Sequence, residues 1–512
     1  METDTLIPKL KEIESTDLLE KVQKDFLGLE TNYQIASGEI TRRIYLDSTA
    51  STLMMGIAHR TGEKFLQHYS NTHSLMHFSA KIATKTYSWV HEKILQFVQA
   101  NPEHYTCFFT GSGTTSGMNR IARVFNHLQP KKDVVLVSIM EHHSNDLPHR
   151  KHGGHVIHIP VDTHESKMGC VDMDLLEHYL AEYEGRVNYV SVTGISNVTG
   201  IINPINEVAK LAHHYGAYVV VDAAQMVAHV PIVMSGHPDP AMDVDALIFS
   251  GHKTYAPGSP GVVIVRKDLM EKIEPEEVGG GMVDRVFPER YYVTNNFPDR
   301  EEAGTQNILG AITLGAAIHV LDQIGMENVL EEDTQLTHYC LEEMLKIPEV
   351  VIYGETCMKT CPRAGTISFN MKNLNHGLVA AILNDYFNIA VRNECFCAHP
   401  YVEKMLELTH HIQINEARSK QITDWHTEPW MGMVRVSFGL YNTKNDVDHF
   451  IYALKQIITK QDEYEKDYLI NNNGDYEHST FQFSCKDYFN LSQFVLDELD
   501  SQFFISSNKK GR

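Results

Sequence analysis

The chain has 512 residues, 43% of them hydrophobic and 21% charged, the composition of a soluble globular protein too long for one compact core. Its net charge of −22 argues against nucleic acid or an anionic membrane surface as a partner. Eight cysteines in so long a chain do not make a disulfide scaffold and fit a reducing compartment.

The start, Met-Glu-Thr-Asp-Thr-Leu-Ile-Pro, lacks the basic residues and apolar run of a secretion signal. No apolar run approaches the roughly 20 residues of a spanning helix. A cytoplasmic location is expected. Residues 1–40 read as polar helical turns, with Leu10, Ile13, Leu18 and Leu19 on one face. Tyr45-Leu46-Asp47-Ser48-Thr49-Ala50-Ser51 is an apolar entry followed by small polar residues. Tyr69 to Ser74 is a loop, in which His73 reads as a loop histidine rather than a catalyst.

Cys107 to Thr110 is a strand, and Gly111-Ser112-Gly113-Thr114-Thr115-Ser116-Gly117 opens a helix. Backbone N–H groups and hydroxyls at a helix start make a phosphate seat. A nucleotide P-loop is disfavoured, because Gly-Lys-Ser/Thr is missing at the required spacing. The strand Val134 to Val137 leads to Glu141-His142-His143-Ser144-Asn145. The strand Val190 to Gly194 leads to Ser196-Asn197-Val198-Thr199-Gly200. A helix over Val208 to Tyr215 then precedes a further strand, which gives repeated β–α–β units.

That strand, Ala217 to Val221, ends on Asp222-Ala223-Ala224-Gln225. In an open α/β sheet ligands sit outside the carboxyl ends of the strands, and a carboxylate there needs a cationic partner. Ala246 to Phe249 and Val262 to Val265 are two more buried strands. Between them lies a polar elbow, Ser250-Gly251-His252-Lys253-Thr254-Tyr255, carrying one lysine. A partly desolvated lysine loses pKa, and its neutral amine can condense with an aldehyde. An ordinary solvated loop lysine is the alternative for this elbow taken alone. An acid and a lysine at neighbouring strand ends are the minimum set for pyridoxal phosphate.

Gly279-Gly280-Gly281-Met282 and Glu302-Ala303-Gly304-Thr305-Gln306-Asn307 follow, and then a helix from Ile308 to Leu321 toward a second domain. That domain opens with Val350 to Tyr353 and Thr366 to Phe369 as an antiparallel pair. Cys357 and Cys361 lie between them without the second Cys/His pair that zinc requires. Next come Val391-Arg392-Asn393-Glu394-Cys395-Phe396-Cys397-Ala398-His399-Pro400 and an insertion over His410 to Trp430. Met433-Val434-Arg435-Val436-Ser437 through Tyr441-Asn442-Thr443 and a closing helix, Asp446 to Ile458, end the second domain. Residues 461–512 are polar and rich in aromatics, with a turn at Asn471 to Gly474, and read as a small appendage of no assigned role.

Asp222-Ala-Ala-Gln225 followed by Ser250-Gly-His-Lys253 resembles the class V, fold-type I pyridoxal-phosphate enzymes, in particular the SufS-like cysteine desulfurases and selenocysteine lyases. The resemblance runs from about Tyr45 to about Ile458, with several motifs in order. It implies that Lys253 carries the cofactor, that Asp222 holds the ring nitrogen, and that Gln225, Ser250 and His252 belong to the same site. Gly113, Thr114 and Thr115 would seat the phosphate, His142 would lie flat over the ring, and Asn197 would bond its phenolic oxygen. Thr305 would reach the partner subunit's phosphate across a homodimer interface; Gln306 replaces the family's Pro beside it.

Arg392 to Pro400 resembles the family's Arg-x-Gly-x-x-Cys-Ala-x-Pro, which sets Cys397 on the catalytic cysteine with Arg392 five residues before it. Glu394 stands where the family has a Gly that can supply a positive φ. Cys395 gives a Cys-x-Cys pair resembling that of molybdenum cofactor sulfurases. A buried structural cysteine or a two-cysteine metal site are the alternatives. Arg435 falls on the residue that clamps a substrate carboxylate, and Arg392 is expected to bind substrate beside it.

The expected fold is α/β: a large, doubly wound, mostly parallel sheet domain over 41–307, a smaller α+β domain over 308–460, the helical segment 1–40 and the appendage 461–512. The expected reaction is cysteine or selenocysteine breakdown to alanine with a persulfide on Cys397, passed to a sulfur-acceptor protein. An epimerase, β-lyase or aminotransferase without persulfide chemistry is the second reading, and a non-catalytic pyridoxal-phosphate-binding protein the third.

Overall fold

A computed structural model describes residues 15–410 and 432–504. Its centre is a sheet of seven strands: β1 (Tyr105–Thr110), β2 (Val134–Ser138), β3 (His155–Ile159), β4 (Val187–Thr193), β5 (Tyr218–Asp222), β6 (Ala246–Ser250) and β7 (Gly261–Arg266). They lie in the order β1-β7-β6-β5-β4-β2-β3. The pairs β2–β3, β2–β4, β4–β5 and β5–β6 are parallel, and β7 runs antiparallel to both its neighbours. Val, Ile, Leu and Phe fill these strands because helices cover both faces, so β2, β4 and β6 are buried along their whole length. The expected doubly wound, mostly parallel sheet is what forms.

Each parallel strand delivers its loop to the same edge. Thr110 leads to α1 (Gly113–Leu128), Ser138 to α2 (His143–His152), and Asp222 and Ser250 end β5 and β6 there. Candidate residues scattered over 140 positions thus converge at the strands' carboxyl ends.

The second domain has a four-stranded antiparallel sheet, β8 (Val350–Ile352), β9 (Thr366–Met371), β10 (Arg392–Glu394) and β11 (Met433–Ser437), in the order β8-β9-β11-β10. Helices α5 (His376–Phe387) and α6 (Lys444–Thr459) cover it. Between the sheets' domains run α3 (Ile308–Ile324), apolar on nearly every face, and α4 (Met326–Leu345). The residues of α3 are buried among those of the large domain, whereas Cys340, Leu341 and Met344 of α4 join the second core. The two cores therefore divide within α4, beyond Ile308. Ile44 and Leu46 also enter the second core, so the chain before Asp47 stitches the domains together.

The N-terminal segment is less helical than expected. A helix covers Ser15–Val22 and buries Leu19, but Asn32–Gln34 and Ile40–Arg42 pair as antiparallel strands. Gly28 and Gly38, both at positive φ, break the helical run. Leu10 and Ile13 lie outside the described residues, as does almost all of the 410–430 insertion. The appendage packs on the second domain through Tyr464 and Tyr468, and the Tyr386 hydroxyl donates to Asp467 at 2.6 Å. Asn471 to Gly474 makes the turn between strands Tyr468–Ile470 and Tyr476–His478. A disulfide joins Cys170 to Cys361, a pairing across 191 residues that composition did not anticipate. No single described helix is long and apolar enough to cross a membrane.

Candidate active site

A cavity of about 330 Å³ opens at the carboxyl ends of β1, β2, β4, β5 and β6, where the second domain closes over them. Its walls include Lys253, Asp222, Gln225, Asn197, His142, Thr114, Thr115, Ser250, His252, Arg392, Cys397 and Arg435. Of the residues singled out from sequence, two do not line it. Gly113 lies just behind, at φ +57°, where a Cβ would come within 2.6 Å of Ser250 Oγ. Thr305 is exposed outside the cavity and accepts from Asn71 Nδ2 at 3.0 Å.

Asp222 is buried at the end of β5 with Ala224 N–H as its hydrogen-bond donor, at 2.9 Å. Burial pushes its carboxyl up to about 6, against the opposing pull of that N–H and of Lys253. Lys253 sits on a short 3-10 turn (Gly251–Lys253) after β6. Burial draws its amine down to about 8, Asp222 pulls the other way, and Arg435 adds to the depression. An amine so placed is in part neutral near physiological pH.

His142 caps α2: its Nδ1 accepts Ser144 N–H at 3.0 Å, which leaves the ring proton on Nε2. Burial and then the Lys253 charge hold its pKa at about 3, so the ring is neutral. The preceding Glu141, fully buried, takes Ser138 Oγ, Asn145 Nδ2 and Thr193 N–H and so fixes this loop. At the helix start Ser250 Oγ meets both the backbone N–H and the hydroxyl of Thr114 at 2.8 Å. Thr115 and Ser144 hydroxyls pair at 2.6 Å. His252 Nδ1 lies 3.1 Å from Ser51 Oγ, and Gln225 Nε2 donates to Thr49 O at 2.8 Å.

The second domain supplies the other wall. Arg435, 3% exposed, donates to Asn197 O at 2.9 Å and to Asp47 at 3.2 Å. Burial lowers its pKa to about 10, with Asp47 opposing. Arg392 lies opposite it on β10 and is solvent-exposed. Cys397 is exposed toward the cavity mouth, whereas Cys395 is buried and its thiol is pushed up to about 12 by that burial. Cys397 O accepts His143 N–H at 2.7 Å, and Phe396 O accepts Asn197 Nδ2 at 2.8 Å. Glu394, Phe396 and Cys397 all have positive φ, at 86°, 51° and 55°. The glycine position that Glu394 fills does require the left-handed region.

Sequence reasoning passed over Asp47, Glu141 and Phe396 as functional positions. Asp47 and Glu141 stand inside motifs already singled out, and their acid character was the available signal. For Phe396 no pattern in the chain points to the cavity.

These residues would fit pyridoxal phosphate: a buried acid wants a cation, hydroxyls and a helix start want a phosphate, and a depressed lysine wants an aldehyde. The aminotransferase class-V model matches residues 44–450. A probable cysteine desulfurase of Halalkalibacterium halodurans is 31% identical over 82% of this chain and 93% of its own length. A cysteine desulfurase of Escherichia coli is 30% identical over 81% of this chain and 93% of its own. The apo structure of a cysteine desulfurase from Thermococcus onnurineus superposes with a TM-score of 0.71 at 28% identity, covering 86% of this chain and 98% of that one. The match spans both domains and every cavity wall, and the chain therefore belongs to the aminotransferase class V family.

Proposed function

We propose that this protein is a pyridoxal-phosphate-dependent desulfurase that takes cysteine, or selenocysteine, to alanine and leaves the chalcogen on Cys397. The observation that carries this reading is that Lys253, Asp222, Arg435 and Cys397 wall one cavity. The cofactor, when bound, supplies an aldehyde for amines and a sink for the electrons of a broken Cα–H bond. Asp222 would hold its ring nitrogen, Ser250, Thr114, Thr115 and the α1 start its phosphate, and Asn197 its phenolic oxygen.

Arg435 binds the substrate carboxylate through a guanidinium already aimed by Asp47 and Asn197 O. Lys253 Nζ, partly neutral, takes the Cα proton. His142 shields the cavity and presents Nε2–H to it. Cys397 Sγ then attacks the substrate sulfur. An S–S bond forms as the Cβ–S bond breaks, and the electron pair stays on the carbon skeleton, which is protonated to alanine.

We further infer a homodimer in which Thr305 serves the partner's phosphate. Thr305 is exposed outside its own cavity, and Leu75, Met76 and Phe78, which follow its hydrogen-bond partner Asn71 in the chain, are exposed at 56%, 88% and 85%. The deciding assay, run with an excess of thiol reductant that frees the persulfide sulfur as sulfide, measures sulfide and alanine released from cysteine by wild type and by Cys397→Ala. Equal amounts of both products from wild type, and none from the variant, are expected. Turnover without alanine would instead favour an epimerase, lyase or transaminase.

A further inference from the structure

Arg435 is a buried cation whose partners are few. Among the described residues its Nη groups have Asn197 O and Asp47, and its Nε–H has none. The guanidinium carbon lies over the ring of Phe396, 4.7 Å from its centroid. Phe396 is itself only 6% exposed and lines the cavity. A π-face over a desolvated guanidinium offsets part of the cost of burial and fixes the plane of the fork, while its edges stay open for in-plane hydrogen bonds.

The placement of that ring is costly. Phe396 and Cys397 are left-handed at 51° and 55°, and Glu394 precedes them at 86°. The turn is held from outside: Asn197 Nδ2 donates to Phe396 O at 2.8 Å, and His143 N–H donates to Cys397 O at 2.7 Å. Asn197 also offers its own carbonyl to Arg435 at 2.9 Å. Phe396 therefore joins two things by one peptide bond, the plane of the guanidinium and the Cys397 thiol.

We propose that Phe396 is a positioning residue for α-carboxylate recognition. Its ring orients Arg435, so that a carboxylate bound there lies at a set distance from Cys397, and this selects short α-amino carboxylates bearing a thiol or selenol at Cβ. The proposal rests on the cavity being an amino-acid site, and its test is kept separate from the desulfuration assay.

The test uses holoenzyme with Phe396→Leu, which keeps bulk and removes the π-face, and Phe396→Tyr, which keeps it. Calorimetry measures binding of L-alanine, and of cysteamine, which has the amine and thiol but no carboxylate. Loss of the stacked face should weaken L-alanine binding by about tenfold in Phe396→Leu. Cysteamine binding should stay within about twofold, and Phe396→Tyr should match wild type for both ligands. Wild-type affinity for L-alanine in Phe396→Leu would overturn the proposal. So would an equal loss for both ligands, an equal loss in Phe396→Tyr, or a wild-type protein that does not bind L-alanine. A wild type that shows the L-alanine pattern yet releases no sulfide from cysteine overturns the desulfurase reading and leaves the role of Phe396 standing.

Discussion

Arg392 and Arg435 stand directly opposite each other across the antiparallel pair β10–β11. Like charges in that relation are destabilising unless something anionic lies between or beside them. Asp47 is the resident anion, 3.2 Å from Arg435, and its carboxyl is raised by burial more than the nearby cations lower it. One acid against two guanidinium groups leaves positive charge for a carboxylate ligand. Arg435→Lys keeps the charge but loses the two-pronged geometry. It should lower kcat/KM for cysteine by roughly two orders of magnitude, since charge-assisted hydrogen bonds are worth about 1.5–3 kcal/mol each. Arg392→Ala, at the exposed position, should cost far less. Steady-state kinetics of the two variants side by side decide the matter, and a larger loss in Arg392→Ala would reverse the assignment.

Lys253→Ala should leave no covalent cofactor. Borohydride treatment of wild type followed by peptide mapping should place the reduced adduct on the peptide with Lys253, and the variant should yield none. An adduct retained on another lysine would move the cofactor elsewhere.

Asp222 should make the cofactor-free protein less stable than it need be. Its carboxyl rises from 3.8 to about 6 on folding. A raised acid binds its proton more tightly in the native state, so stability falls as pH climbs from about 4 to about 6 and stays reduced above that range. The cost at neutral pH is on the order of 3 kcal/mol. Asp222→Asn should therefore raise the Tm of the cofactor-free protein at pH 7.5 by several degrees, and have little effect at pH 4. The same variant should hold pyridoxal phosphate more weakly and turn over several orders of magnitude more slowly. Identical melting of both proteins at pH 7.5 would contradict the burial argument.

Much of this site is legible in the chain because its parts follow strand ends. Asp222 ends its strand, while Thr114, His142, Asn197 and Lys253 each come three or four residues after the end of an apolar strand, and a parallel sheet brings such loops to one edge. Contacts made between domains are not legible in that way. Asp47 reaches Arg435 only because its segment bridges to Ser437 of β11, across 390 residues. Phe396 reaches Arg435 only because of a left-handed turn that its own sequence disfavours. The N-terminal strands were hidden by a polar pattern with no period of two, and the Cys170–Cys361 bond links residues whose separation carries no signal.

Glu394→Gly should stabilise the protein. Glu394 is exposed at φ +86°, a conformation that costs a non-glycine residue roughly 1 kcal/mol or more. Part of that gain is offset by the greater freedom of glycine in the unfolded chain. A rise in Tm of a few degrees, with desulfuration unchanged or faster, is expected. A lower Tm would show that the Glu394 side chain contributes more than its backbone costs.

Cys397, not Cys395, should carry the persulfide. Two residues apart on a left-handed turn, the sulfurs face different surroundings: Cys397 borders the cavity with Lys253 and Arg435, while Cys395 is buried among Met140, Val161, Tyr401 and Met405. Burial holds the Cys395 thiol at about 12, which keeps it protonated and poorly nucleophilic at neutral pH. Cys397→Ser should then lose sulfide release from cysteine while still binding it, because Arg435 and Lys253 are untouched. Cys395→Ser should cost little rate, and its effect should fall on stability, since it puts a hydroxyl into an apolar cluster. Mass spectrometry after one turnover should find the added 32 Da (the mass of one sulfur atom) on the Cys397 side of the pair in Cys395→Ser, and nothing in Cys397→Ser. Desulfuration at the wild-type rate by Cys397→Ser, or a dead Cys395→Ser that remains folded, would place the acceptor sulfur elsewhere. Turnover indifferent to both changes would move the reaction to the epimerase, lyase or transaminase chemistry that the same lysine, aspartate and arginine can serve.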